Sequence, residues 1–275
     1  MKRVVAILLT LAMAAVMLAG CGSSGSDEGA EKYGKGWEFK HGFDRDFPPY
    51  SHIDDNGETT GFDVELAQAV ADYYGWKYTA VPINWDAKDA ELESGSIDCI
   101  WSGFTKSPAR EDKYAWSEPY SINTIKLMVL EGSDIKSAED LKGKKVGVQT
   151  ETSAQEMMET PEEEGGCKEL ADTFGEIVVS DVYTTSINDL KAHAIDAIMI
   201  DVTTGNYQMT KVDGLAYLDD DICDEIYAVG CRPEDTELVE KINEALKALA
   251  EDGTMDKIGK NYPDIYENLS MINQK

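Results

Sequence analysis

Arg110 closes the run Ser102-Gly103-Phe104-Thr105-Lys106-Ser107-Pro108-Ala109-Arg110, which directly follows an apolar stretch at residues 97–101. A guanidinium is a planar fork that grips a carboxylate at two points, a geometry a lysine ammonium cannot match. The apolar stretch reads as a buried strand. Gly103 to Thr105 then fall at its carboxyl end, where open α/β sheets place their ligands. The competing reading is a surface arginine paired with Glu111 or Asp112. A second run, Val146-Gly147-Val148-Gln149-Thr150-Glu151-Thr152-Ser153, passes from a strand into a helix beginning near Ala154. Helix starts expose unpaired amides, so Thr152 and Ser153 either help to seat an anion or serve only as a cap. Asp201 ends a mostly apolar run at residues 195–200; there an acid is costly unless it is exposed, caps the helix that follows, or meets a cation. Asp44 is open to two readings, solvated loop or pocket wall. Phe47, Trp85 and Trp101 either wall a pocket or fill the core.

Bond-making chemistry has little support. After Cys21 come Cys99, Cys167, Cys223 and Cys231, none in a CxxC pair, and the histidines His41, His52 and His193 are scattered. No metal-ligand spacing appears, and no metal or cofactor is expected. Cys99 and Cys231 lie in apolar stretches, where a free thiol behaves as a small hydrophobe. There is no GxSxG elbow, no P-loop and no dinucleotide-binding glycine motif.

The N-terminus carries a different chemistry. Met1, Lys2 and Arg3 precede an apolar run at residues 4–18 that ends Leu18-Ala19-Gly20-Cys21. This is the layout of a secretory signal, too short to span a bilayer and with a cysteine where cleavage should fall. It resembles a lipobox, which makes Cys21 the expected site of thioether acylation, with palmitate among the attached chains. Gly22-Ser23-Ser24-Gly25-Ser26 and the residues after it read as a tether. The net charge is −28. A chain this acidic repels phosphate backbones, which excludes nucleic acid as a partner.

The elements that must position these groups alternate between strand and helix, the pattern of α/β architecture. Residues 64–74 carry Leu66, Val70 and Tyr74 at helical spacing and stop at Gly75. Residues 96–101, 145–149 and 194–200 read as buried strands, and residues 236–253, continuing to 258, as an amphipathic helix. No coil-rich linker divides the chain. The turn-rich break at Ser117-Glu118-Pro119-Tyr120-Ser121 is compact, which favours lobes joined by short hinge strands.

Taken together, Asp46-Phe47-Pro48-Pro49-Tyr50 with Gly61-Phe62-Asp63-Val64-Glu65-Leu66, the Ser102–Arg110 run, the Val146–Ser153 run and Asp201 resemble the extracytoplasmic solute-binding proteins of polar amino-acid ABC transporters, family 3. The resemblance spans Phe43 to Tyr262. It implies a type II periplasmic binding fold: two lobes, each a mixed sheet flanked by helices, joined by two hinge strands. The expected organisation is a signal at 1–20, a tether at 21–36, lobe one at 37–121 and 232–275, and lobe two at 122–231. The resemblance assigns Arg110 and the Thr105 hydroxyl to a ligand carboxylate, the Gly103 carbonyl and Asp201 to its ammonium, and Thr152 and Ser153 to the second lobe's grip. Phe47, Trp85 and Asp44 would face the ligand side chain. Asp63 is expected to cap a helix, with Glu65 in its first turn. Glu151 departs from the pattern, standing where the family usually has glycine. The implied function is capture of a free amino acid, polar or charged, and delivery to a membrane permease with a cytoplasmic ATPase. The protein would be a monomer, lipid-anchored on the outer face of the cytoplasmic membrane. Two alternatives stand: an enzyme on the same fold, with Glu151 as its acid, or a ligand sensor.

Overall fold

The computed structural model describes residues 32–273. The expected signal, Cys21 and most of the expected tether therefore lie outside the described residues. From Lys35 onward the described residues form one compact unit.

In chain order the first lobe supplies β1 (Glu38–Asp44), a small three-stranded sheet of β2 (Asp46–Phe47), β3 (Ser51–Ile53) and β4 (Thr59–Thr60), helix α1 (Phe62–Tyr74), β5 (Lys77–Ile83), α2 (Lys88–Glu93), β6 (Cys99–Ile100) and β7 (Ala115–Trp116). The second lobe supplies β8 (Ser121–Leu130), β9 (Lys145–Gln149), α3 (Ser153–Glu159), α4 (Lys168–Ala171), β10 (Glu176–Ser180), α5 (Tyr183–Lys191), β11 (Ala197–Asp201), α6 (Val202–Lys211) and β12 (Leu215–Tyr227). The chain then returns through β13 (Gly230–Cys231) to α7 (Thr236–Glu251), α8 (Thr254–Gly259) and α9 (Pro263–Tyr266). One sheet has the order β5-β1-β6-β13-β7 and the other β10-β9-β11-β8-β12. The expected two-lobed α/β fold is thus present.

Local sequence explains much of this. Helix α1 buries Leu66 and Val70 on one side and stops at Gly75, which takes φ 68° and lets its amide bond back to the last turn. Helix α7 buries Leu238, Ile242, Leu246 and Leu249 along one stripe, and Gly253 at φ 83° separates it from α8. The expected strand at 96–101 is shorter, with only Cys99 and Ile100 in the ladder. Asp63 does not cap α1: the N-cap is Gly61, and the Asp63 carboxylate turns into the core.

The crossing between lobes is made by two long strands. β8 and β12 pair antiparallel from Leu215↔Leu130 to Tyr227↔Ser121. The return to lobe one comes earlier than the expected boundary at residue 231. Ala228 already bonds to the Phe104 carbonyl, and Gly230 and Cys231 pair with β6 and β7 in the first sheet. All four described cysteines are free, and Cys99 and Cys231 are buried cross-strand neighbours in β6 and β13. Among the described residues no helix is long and apolar enough to cross a membrane, and no side-chain cluster has the make-up of a metal site.

Candidate functional site

Between the two sheets lies a narrow cavity lined by Asp44, Phe47, Trp85, Ser102, Gly103, Thr105 and Arg110 from one side and Gln149, Thr152, Ser153 and Asp201 from the other. All nine residues expected at the ligand line it. Trp101 does not; it is fully buried against His41 and Tyr120 in the first lobe's core.

The turn after β6 builds the first wall. Gly103 sits at φ 51°, and a Cβ there would come within 2.4 Å of the Phe47 ring, so only glycine lets the two meet. Its amide donates to Asp63 Oδ2 at 2.7 Å, and the Tyr120 hydroxyl donates to the same oxygen at 2.8 Å. Burial pushes Asp63 up to about 7, against the pull of these donors. Asp63 is therefore a brace for the binding turn, a role with no signal in the sequence.

Arg110 follows in a short 3-10 turn and is buried, with its guanidinium carbon 5.3 Å from the centre of the Phe104 ring. Its Nε pairs with Glu156 of α3 at 2.8 Å, and a terminal nitrogen donates to the Glu151 carbonyl at 3.2 Å. The partner is thus an acid of the opposite lobe, not Glu111 or Asp112. Ser107 donates to the same Glu156 at 2.6 Å, tying the lobes together beside the cavity.

Glu151 takes φ 57°, the left-handed region that glycine favours. This conformation turns its carbonyl inward, where it accepts from Trp85 Nε1 at 3.1 Å as well as from Arg110. Its side chain lies outward, more than half exposed, and meets the buried Lys88 at 3.3 Å. Glu151 is therefore not placed as an acid inside the cavity. Thr152 does act as the N-cap of α3, accepting from the Gln155 amide at 3.3 Å, and its hydroxyl donates to the Gln149 carbonyl at 2.8 Å.

Asp201 occupies the N-cap position of α6 but makes no side-chain cap bond. Its carboxylate accepts from Asn123 Nδ2 at 3.0 Å, from the Tyr183 hydroxyl at 3.1 Å and from the Tyr227 hydroxyl at 2.5 Å. Burial raises its pKa, and the bonds from Tyr227 and Tyr183 oppose the rise. At the other end of the cavity Gln149 donates to Asp44 across the lobes, and its own Oε1 has no partner among the described residues. Sequence reasoning passed over Ser102 and Gln149, although both lie inside the runs singled out. It also missed the buried polar shell of Asn123, Tyr183, Glu225 and Tyr227.

A family model described as bacterial extracellular solute-binding proteins, family 3, matches residues 39–264. The chain belongs to that family. Among curated relatives, the L-cystine-binding protein TcyJ of Escherichia coli (strain K12) is 31% identical over 224 residues, covering 80% of each chain. The arginine-binding extracellular protein ArtP of Bacillus subtilis (strain 168) is 29% identical over 265 residues, covering 93% of this chain and 96% of the relative. Among solved structures, a substrate-binding protein of an ABC uptake transporter from Streptococcus pneumoniae, with bound histidine, superposes with a TM-score of 0.75 at 33% identity. That match covers 82% of this chain and 92% of the other.

Proposed function

We propose that this family 3 protein captures a free amino acid with a polar or charged side chain in the cavity between its lobes and passes it to an ABC permease. The observation that carries the reading is the distribution of charge around one cavity. Arg110 and the Thr105 hydroxyl come from the first lobe, and Ser153 and Asp201 from the second. A zwitterion has a carboxylate for the arginine and an ammonium for the aspartate, so it contacts both lobes at once. A ligand drives closure only through contacts stronger in the closed form, and contact with both lobes supplies them.

Phe47 and Trp85 would flank the ligand's side chain, and the buried Asp44–Gln149 pair would meet its polar end. The cystine-, arginine- and histidine-binding relatives all handle side chains with such ends. Lipid anchorage through Cys21 is the matching proposal for location. Mass spectrometry of the membrane-extracted protein would show a diacylated N-terminal cysteine, and a Cys21→Ser protein would be lost from the membrane fraction.

The functional test is thermal unfolding of protein begun after Cys21 against the twenty amino acids and cystine. A ligand that binds only the folded state raises the midpoint by mass action. A rise with one or a few amino acids supports the reading. No rise with any of them, on protein shown free of carried-over ligand, removes the amino-acid assignment.

A further inference from the structure

Glu225 sits on hinge strand β12, buried, immediately behind the two hydroxyls that line the cavity from opposite lobes. Ser153 Oγ donates to its Oε1 at 2.7 Å, the Thr105 hydroxyl donates to the same oxygen at very short range, and Thr105 and Ser153 lie 3.2 Å from each other. Its other oxygen accepts from Asn123 Nδ2 at 3.0 Å, and the same amide nitrogen reaches Asp201. A hydroxyl has one hydrogen to give. When Glu225 is ionised, both hydroxyl hydrogens point at it, and only lone pairs face the cavity. A carboxylate arriving there would meet acceptors.

We propose that Glu225 is a positioning residue which must carry a proton for Thr105 and Ser153 to hold a ligand carboxylate, so that amino-acid capture is coupled to proton uptake at the hinge. A protonated Oε1 donates to one of the two hydroxyls, and that hydroxyl turns its own hydrogen into the cavity. The proton goes onto Glu225 from solvent, and no bond other than O–H is made or broken. The inference rests on the amino-acid reading given above and deepens it.

The surroundings favour the protonated form. Burial, and then repulsion from Asp201, push Glu225 up to about 8. The other titratable and charged groups about it are Tyr183 of α5, Tyr227, Cys223 and Asp224 of β12, and Lys106, Glu156 and Glu164 along the groove behind it. Two cations lie nearby, Lys106 and Arg110, and Arg110 is already held by Glu156 at 2.8 Å. A ligand ammonium at Asp201 pulls in the opposite direction, because it relieves the repulsion that Asp201 exerts on Glu225, whereas the ligand carboxylate meets the hydroxyls themselves.

The test is isothermal titration calorimetry of the wild-type protein and Glu225→Gln with L-arginine, L-histidine and L-cystine between pH 6.5 and 9. A glutamine amide donates at every pH, so it holds the hydroxyls in the productive direction. Wild-type affinity should fall by up to about tenfold per pH unit above about 8, whereas Glu225→Gln keeps its affinity apart from the slope of the ligand's own amine, common to both proteins. In the wild type alone, titrations at pH 8 in phosphate and in Tris should show proton uptake beyond that amine's share, a readout that does not depend on how the variant folds. Equal pH slopes with no excess proton uptake would overturn the coupling while leaving amino-acid capture standing. Failure of folded wild-type protein to bind any of the three at pH 6.5, with no other amino acid raising its thermal midpoint, would remove both.

Discussion

Gln149 of the second lobe donates to Asp44 of the first, Nε2 to Oδ2, at 2.7 Å. Both side chains are almost fully buried, so this polar bridge joins the lobes inside the cavity. The arrangement loads a cost onto Asp44. Burial pushes its pKa up to about 6, only partly offset by the Asp46 amide and Gln149.

Asp44→Asn should therefore stabilise the ligand-free protein at pH 7.5. The folded state binds the Asp44 proton more tightly than the unfolded chain does. Stability from this group is thus greatest below the unfolded value near 4, falls as pH rises from about 4 to about 6, and stays lower above. A displacement of this size corresponds to about 3 kcal/mol at most. Asparagine bears no charge but has one oxygen for two donors, Gln149 Nε2 and the Asp46 amide, so one lost hydrogen bond offsets part of the gain. Thermal melts should show a higher midpoint for the variant at pH 7.5 and little difference at pH 4. Affinity for an amino acid with a cationic side chain should drop at least about tenfold, as the buried counter-charge is lost. An unchanged midpoint at pH 7.5 would show that Asp44 carries no such cost.

Arg110→Lys should lose ligand while keeping the fold. The lysine retains a positive charge near Glu156, whose side chain is a quarter exposed and so not stranded in a dry interior. It lacks the fork needed to hold a carboxylate at two points while also reaching the Glu151 carbonyl. Calorimetry should show affinity reduced by about 2–3 kcal/mol, within the range for a truncated buried charge contact, with a melting midpoint close to wild type. Binding within a few-fold of wild type would mean that Arg110 serves only to clasp α3.

Glu151→Gln should leave ligand affinity nearly unchanged. The residue acts on the cavity through its carbonyl, which both Trp85 and Arg110 bind, while its carboxylate is more than half exposed and meets Lys88. An amide can accept from Lys88 in the same place, and an exposed charge contributes about 1 kcal/mol or less. An affinity change above about tenfold would show that the charge reaches the ligand after all.

How much of this was legible in the chain follows from the range of the contacts involved. Helix α1 and its glycine stop, the strand ending at Gln149 and the position of Asp201 rest on local periodicity and end signals, which a sequence displays directly. Asp63 misled because a capping acid and a core brace look alike in sequence; its partners, Gly103 and Tyr120, stand 40 and 57 residues away. Glu225 lies in a strand crowded with exposed acids from Asp219 to Asp224, and what buries it is Thr105, 120 residues earlier. Arg110 likewise finds Glu156 only once the lobes face each other. Local motifs identify the cavity's wall, whereas the polar shell behind it depends on pairings that no local pattern encodes.

Gly103→Ala should damage stability and capture together. At φ 51° an L side chain is strained, and the added Cβ would lie 2.4 Å from Phe47 Cε1 and 3.1 Å from Tyr227 Cε2. Phe47 is stacked on the fully buried Tyr50, with ring centres 5.9 Å apart, so it has little room to retreat. The turn itself cannot slide away, because Asp63 holds the Gly103 amide at 2.7 Å. Strain and overpacking each cost about 1–3 kcal/mol, so urea unfolding should show a loss in that range or somewhat above. Because the same turn presents Thr105 to the cavity, the variant should also bind its amino acid at least about tenfold more weakly, in line with loss of a buried hydrogen bond to a charged group. The second effect separates a binding turn from mere packing. Lost stability with affinity intact at a temperature where the variant is fully folded would mean that Gly103 serves the core alone.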